Sequence, residues 1–133
     1  PNLEWDIDVL LAKQRAGAGY AVTQVFYDNE AYLRFVKAAR DRGVTIPIVP
    51  GLKILTKRSH VNLVPKTFGV DVPPALADAI RRSDDDTAMK AGVDWAYRQT
   101  LDLFEHGVPS AHFYVMQNTR PFVTMMERLR PQL

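Results

Sequence analysis

The sequence predicts an α/β fold in which parallel strands alternate with helices. Segments with apolar residues at helical spacing alternate with short runs of β-branched and aromatic residues. Strands that are separated by a helix pair in parallel through right-handed crossovers. The 133 residues are 47% hydrophobic and 24% charged, which is ordinary for one globular domain, and no internal boundary is visible.

Local sequence signals predict the helices and strands in the first part of the chain. Asn2 is the N-cap of a helix whose apolar residues recur at i, i+4, i+7 and i+8. The glycine-rich stretch 17–19 ends this helix, and a strand follows over Tyr20–Val25. Asp28 caps a second amphipathic helix, which Gly43 ends.

The alternation continues after the second helix. The short apolar segment Ile46–Pro50 is predicted to be the second strand. Thr56 is expected to start a short helix that Pro65 ends, and the pair Pro73–Pro74 opens another helix.

A long helix, a strand and a final helix complete the prediction. The "DDD" run at 84–86 precedes a long helix with one apolar stripe, which ends at Gly107. The third strand is "AHFYV", residues 111–115. Thr119 is expected to cap the last helix, with Pro121 in its first turn. Three strands are thus predicted.

The composition excludes several classes of function. Seventeen basic and fifteen acidic residues are interspersed along the chain, so neither nucleic acid nor a membrane is expected as a partner. The absence of cysteine excludes disulfides, thiolate metal sites and a cysteine nucleophile. No signal peptide or membrane-spanning run is visible, so we expect a cytoplasmic location. The first residue is proline, not methionine, and we expect the chain to be a piece of a longer protein.

No metal site is predicted. His60 and His112 lack the short-range spacing of metal ligands, and His106 lies at a predicted helix end, where the helix dipole accounts for it. The acidic run at 84–86 is better explained as a helix cap than as a Mg²⁺ site.

Two features point toward ligand binding at the carboxyl ends of the strands, which share one edge in a parallel sheet. Gln24 lies near the end of the first strand, and a buried amide at such a position can pair with an amide-like ligand edge such as that of a pterin. From position alone, an ordinary amide bonded to nearby backbone is the more common explanation. Asp6 and Lys13 are two helical turns apart and would reach a ribose hydroxyl and a phosphate, although a solvated helix face explains them equally well.

Five segments in a fixed order resemble the C-terminal half of the methylenetetrahydrofolate reductase family. They are "GAGYAVTQVFYD", "YLRF", "IPIVPG", the "DDD" before a long helix, and "GVPSAHFY". The resemblance runs from about Leu3 to Leu129 and implies a (β/α)8 TIM-type barrel. Because a full barrel needs about 250 residues, residues 1–133 are expected to be about the C-terminal half of one barrel domain, a partial barrel with three of its strands.

The resemblance also implies a reaction and cofactors. Members of the family hold FAD, take a hydride from NADH or NADPH, and reduce methylenetetrahydrofolate to methyltetrahydrofolate. By this resemblance Gln24 binds the folate and the nicotinamide donor in turn, whereas Asp6 and Lys13 contact FAD. The general acid of the family lies in the N-terminal half, so no catalytic residue is expected in this chain.

Some positions depart from the family pattern. His60 replaces a folate-contacting glutamine, and Val64 stands where an aromatic residue stacks on the aminobenzoyl ring of folate. Gln117 and Asn118 follow the last strand where the family often has asparagine and arginine. We still expect His60 and Asn118 to contact the substrate, through contacts that differ from those of the family pattern.

Three readings remain open at the level of the sequence. The chain is either part of a flavin-dependent reductase or a half-barrel that acts as a non-enzymatic interaction module, and flavin absorbance separates the two. Another barrel enzyme is a third reading. Alone, the fragment is expected to be inactive and to form a homo-oligomer, because its apolar strand residues and strand edges would otherwise be exposed.

Overall fold

Helices separate the three strands along the chain in the computed structural model, which describes residues 2–133. In chain order the elements are α1 (Leu3–Arg15), β1 (Ala21–Val25), α2 (Asn29–Asp41), β2 (Ile48–Leu52), α3 (His60–Phe68), α4 (Pro74–Arg81), α5 (Asp85–Glu105), β3 (His112–Phe113), α6 (Arg120–Leu129) and a 3₁₀ turn (Arg130–Gln132). The prediction of an α/β fold is confirmed.

The three strands of the described residues form one parallel sheet in the order β1-β2-β3. Ala21 lies opposite Ile48 at the start of the β1–β2 pair, and Gly51 lies opposite His112 in the β2–β3 pair. β2 is therefore the central strand. Because both pairs are parallel, the carboxyl ends of all three strands lie along one rim of the sheet.

The helices begin where capping side chains were predicted. The side chains of Asn2 and Asp28 accept a backbone N–H of the following turn at 3.2 and 3.0 Å. Asp84 accepts the N–H of Thr87 at 2.9 Å, and the hydrogen bonds from Thr87 lower the pKa of the Asp84 carboxyl. The first aspartate of "DDD" is thus a helix cap, as predicted.

The second strand lies two residues further along the chain than predicted, over Ile48–Leu52 and not Ile46–Pro50. Pro50 does not end the strand, because the two residues that follow it pair with β3. Proline has no N–H to donate, and β1 places two residues, Thr23 and Gln24, opposite Pro50. The missing bond is thus accommodated by a β-bulge.

Helix α3 also differs from the prediction. It begins at His60, not at Thr56, and it runs through Pro65 to end at Gly69, whose φ of 65° is left-handed. Val64 is only 3% exposed. The burial of this helix face outweighs the single hydrogen bond that the ring nitrogen of Pro65 cannot make.

The helices cover one face of the sheet. Ile48 and Leu52 of β2 are buried in a cluster with residues of α1 and α2, while Phe113 of β3 packs against α5 and α6. In contrast, Val22 and Gln24 of β1 are exposed. No helix of residues 2–133 combines the length and apolar character that crossing a bilayer requires.

Candidate functional site

The predicted site residues lie in two clefts that share no lining residue. Asp6, Lys13 and Gln24 line a cleft between α1, β1 and α2, here called the edge cleft because β1 is the edge strand. His60 and Asn118 line a second cleft at the carboxyl ends of β2 and β3, here called the rim cleft. The structure therefore brings the first three residues together and keeps them apart from the other two.

The edge cleft has a volume of about 580 Å³, which is in the range of about 300–1,000 Å³ typical of small-ligand sites. Asp6 lies in the first half of α1 and Lys13 in its last turn, and both line the cleft, as their helical spacing predicted. Neither side chain forms an ion pair within residues 2–133. Trp5, Val9 and Phe35 supply apolar walls.

Gln24 is the fourth of the five residues of β1, and its side chain is exposed, not buried. Its Oε1 accepts the backbone N–H of Val25 at 3.1 Å. Its Nε2 has no hydrogen-bond partner among residues 2–133. The amide is thus held by one local bond, and its donor group is left free at the cleft.

Close packing fixes the strand segment that carries Gln24. The Tyr114 hydroxyl donates to the carbonyl oxygen of Thr23 at 3.1 Å, and the Gly51 N–H donates to the Thr23 hydroxyl at 2.9 Å. A Cβ at Gly51 would lie 2.4 Å from the Thr23 oxygen and 2.8 Å from the Tyr114 ring. Only glycine at position 51 leaves room for the Tyr114 side chain to cross β2 and bond to the bulge of β1.

The rim cleft, with a volume of about 340 Å³, lies between the segment after β2 and the segment after β3. His60 is half-buried in it, and its Nδ1 accepts the N–H of Thr56 at 3.1 Å. Burial, followed by the charges of Lys53 and Lys57, lowers the pKa of His60. His60 is therefore a neutral imidazole whose proton, assigned from this hydrogen bond, is on Nε2.

Asn118 has a structural role that the sequence did not reveal. Its Oδ1 accepts the N–H of Arg120 at 3.1 Å, at the start of α6. Thr119, the predicted cap, makes no capping bond with its side chain. Thr119 does occupy the predicted N-cap position. The amide nitrogen of Asn118 remains a potential donor at the cleft.

Val64 does not lie at either cleft. It is buried in a core cluster with Val25 and Leu55, one helical turn after His60. A buried valine cannot stack on a ligand ring, so this position supplies core packing instead.

Sequence reasoning missed two residues of the rim cleft. Lys53 and Lys57 line it, and no Asp or Glu is among the residues that do. The signal was present in "LKILTK", residues 52–57, where two lysines four residues apart follow a buried strand. Tyr114 reaches both the rim cleft and the bulge of β1.

A third cavity, of about 770 Å³, lies beside the β1–α2 connection. Gln99 and Trp95 of α5 donate to the backbone oxygens of Phe26 and Tyr27 at 3.0 and 3.3 Å. Burial raises the pKa of Tyr27 well above its usual range. These bonds tie α5 to the end of β1. Within residues 2–133, no three His, Asp or Glu side chains converge so as to hold a metal ion.

A parallel sheet that is covered by helices on one face and has a cleft at the carboxyl ends of β2 and β3 defines an α/β protein, a class in which ligands commonly bind at that rim. Residues 1–130 match the model of the methylenetetrahydrofolate reductase family. The chain belongs to this family, as the sequence resemblance indicated.

Curated relatives agree with this assignment. The chain is 30% identical to a probable methylenetetrahydrofolate reductase (NADPH) of Caenorhabditis elegans, over 87% of the chain and 18% of that protein. It is 30% identical to methylenetetrahydrofolate reductase (NADH) 1 of Arabidopsis thaliana, over 93% of the chain and 21% of that protein. It is 31% identical to 5,10-methylenetetrahydrofolate reductase of Escherichia coli K12, over 84% of the chain and 38% of that protein. The chain thus spans well under half the length of these relatives.

A solved structure supports the fold. It is an uncharacterized protein from Clostridium thermocellum that binds two copies of 5-methyl-5,6,7,8-tetrahydrofolic acid. The alignment covers 96% of the chain and 48% of that protein, with a TM-score of 0.62 and 15% identity. At this identity the likeness concerns the fold.

Proposed function

We propose that the chain is about the C-terminal half of a (β/α)8 barrel in a flavin-dependent reductase of folate one-carbon metabolism. The full-length enzyme reduces 5,10-methylenetetrahydrofolate to 5-methyltetrahydrofolate with NADH or NADPH. The observation that carries this proposal is the convergence of Asp6, Lys13 and Gln24 on one cleft that runs along β1, in a chain of the matching family.

The open edge of β1 supports the barrel. β1 pairs only with β2 among the described strands, which leaves its other edge unpaired. Trp5, Tyr20 and Val22 beside that edge are 66%, 65% and 36% exposed. A neighbouring strand would satisfy the free backbone groups and cover these side chains, as in a closed barrel.

The edge cleft fits one part of FAD. A carboxylate such as Asp6 accepts hydrogen bonds from ribose hydroxyls, and an ammonium group such as Lys13 pairs with a phosphate. Both groups are exposed and have no ion-pair partner within residues 2–133 that would compete for them. FAD, when bound, would relay the hydride from NADH or NADPH to the folate.

The chain's own polar groups would bind and orient the substrate. The free Nε2 of Gln24 donates to an oxo group of the pterin, while its Oε1 exchanges the local bond to Val25 for a ligand N–H. In the rim cleft, His60 presents Nε2–H and Asn118 presents its amide nitrogen. We assign no catalytic acid to this chain and expect that group from the N-terminal half of the barrel.

Purification of the full-length gene product tests the proposal. We expect a bound flavin in the visible spectrum and NADH- or NADPH-dependent formation of 5-methyltetrahydrofolate. A full-length protein that has no flavin, does not reduce the folate when FAD is added, and forms a stable complex with another protein would instead indicate an interaction module.

A further inference from the structure

Lys53 and Lys57 are two positive charges without acidic partners. Both line the rim cleft, and within residues 2–133 neither forms an ion pair. Lys53 is half-buried, so its ammonium group is partly removed from solvent. An ammonium group in such a position is stabilised by an anion.

The charge of the rim cleft differs from that of its neighbours. The edge cleft has one acid, Asp6, and one base, Lys13. The cavity beside the β1–α2 connection is lined by four acids and one arginine: Asp28, Glu30, Asp71, Asp102 and Arg98. Of these three sites, the rim cleft is the one with a net positive charge and no carboxylate.

The rest of the rim cleft is aromatic and amide in character. Phe113 and Phe122 lie 5.1 Å apart between ring centroids, and Tyr114 lines the same cleft. Gln117 and Asn118 provide amides on the wall formed by the segment after β3. The cleft therefore suits a ligand that has an aromatic ring followed by an anionic group.

We propose that Lys53 and Lys57 form a subsite for the glutamate carboxylates of the folate substrate, with the aminobenzoyl ring against the aromatic residues. This inference rests on the proposed function, because it takes the folate as the ligand. It assigns to the rim cleft the substrate's charged end and to Gln24 the pterin end.

The lysines also act on His60. Their charges help to hold its imidazole neutral in the free protein. A carboxylate bound between them would offset that effect and raise the pKa of His60. The imidazole resonances of His60 are therefore a reporter of occupancy that does not depend on turnover.

The test compares the full-length protein with its K53Q/K57Q variant. We expect the KM for 5,10-methylenetetrahydrofolate to rise about tenfold or more, as for the loss of a charge-assisted contact. The kcat and the KM for NADH or NADPH should stay unchanged. A 5,10-methylene analogue that keeps N10 on an unsubstituted phenyl ring, and so lacks the glutamate carboxylates, should be used equally well by both proteins. The matched control is K66Q/K90Q, which removes the same charge from exposed helical lysines outside the three sites.

Binding of para-aminobenzoylglutamate, followed by calorimetry and by the His60 resonances, gives a readout without turnover. We expect binding in the wild type and in K66Q/K90Q, and its loss in K53Q/K57Q. If the wild type lacks reductase activity but shows this pattern, the proposed function fails and the subsite stands. If the reductase is active but K53Q/K57Q keeps its KM and its binding, the subsite is refuted. A rise in the KM for NADPH or NADH instead would refute it too, because it would assign the lysines to dinucleotide phosphates.

Discussion

The edge cleft and the rim cleft are assembled in different ways. Asp6, Lys13 and Gln24 come from one helix and the strand that follows it, so helical spacing and strand position suffice to place them together. His60 and Asn118 are separated by 58 positions and meet only because β2 and β3 are neighbours in the sheet. The comparison teaches that a site built from adjacent elements can be found from spacing, whereas one built across the sheet requires the strand order.

The two clefts also differ in charge, and this difference separates their proposed ligands. One carboxylate and one ammonium group suit a ribose and a phosphate in the edge cleft. Two lysines without an acid suit carboxylates in the rim cleft. The following predictions break or sharpen this contrast.

The largest effect is expected from the chain in isolation. The 133-residue polypeptide should neither reduce methylenetetrahydrofolate nor retain stoichiometric FAD, because the open edge of β1 leaves the edge cleft incomplete. It should self-associate through the exposed edge and the apolar residues beside it. Light scattering after size-exclusion chromatography and a flavin spectrum check both points. A 15.0 kDa monomer with one FAD and turnover would contradict them.

A glycine in α5 should affect the rim cleft while sparing the edge cleft. A Cβ at Gly92 would lie only 1.6 Å from the backbone oxygen of Leu55, which a side-chain movement cannot relieve. We expect Gly92→Ala to lower the free energy of unfolding by about 3 kcal/mol or more. The displaced segment after β2 carries Lys53, so any folded variant should bind para-aminobenzoylglutamate more weakly.

Urea unfolding measures the first effect. Gly19→Ala is the control, because no atom lies within 4 Å of its added Cβ. Equal stability of the two variants would show that α5 and the segment after β2 move apart freely.

In the edge cleft, Lys13→Ala in the full-length protein should weaken FAD binding by about 1.5–3 kcal/mol, the contribution of a charge-assisted phosphate contact. Asp6→Ala should act in the same direction, whereas Lys66→Ala should have no effect. Flavin content after purification and flavin release on dilution are the measurements. If both edge-cleft variants keep their flavin as well as the parent, Asp6 and Lys13 are surface charges.

Gln24→Ala is expected to affect the folate more than the flavin. The loss of both amide partners should lower kcat/KM for methylenetetrahydrofolate. The expected loss of transition-state stabilisation is about 1–3 kcal/mol, with little change in flavin content. Steady-state kinetics with each substrate checks this. An unaltered kcat/KM for the folate would leave Gln24 with its bond to Val25 as its only role.

The same contrast explains how much of the fold the sequence revealed. The caps Asn2, Asp28 and Asp84 were predicted because a cap depends on a few neighbouring residues. The end of β2 was misplaced at Pro50, because only the pairing with β3 carries the strand past a residue that cannot donate a hydrogen bond.

The candidate site follows the same rule. Helical spacing predicted one helix face for Asp6 and Lys13, and both residues line the edge cleft. It did not reveal that Asn118 caps α6, since either of two adjacent polar residues would suit that position. It also did not reveal that Lys53 and Lys57 have no acidic partners, because that depends on segments that are distant in sequence.

The smallest effect concerns His60 and the pH dependence of stability. Burial and the two nearby lysines lower its pKa below the ordinary value of 6.5. The unfolded chain therefore binds the proton more readily than the folded one. The stability that the neutral imidazole contributes is fully present above pH 6.5 and is lost as the pH falls through the lower folded pKa. His60→Gln removes this pH-dependent contribution to stability. The variant should therefore lose less stability than the parent between neutral and mildly acidic pH, as measured by urea unfolding at several pH values.

His112→Gln, which changes an exposed histidine in β3, is the control. Parallel pH profiles of the unfolding free energy for the parent and His60→Gln would mean that the lysines of the rim cleft do not lower the pKa of His60. That result would also weaken the charge contrast between the two clefts.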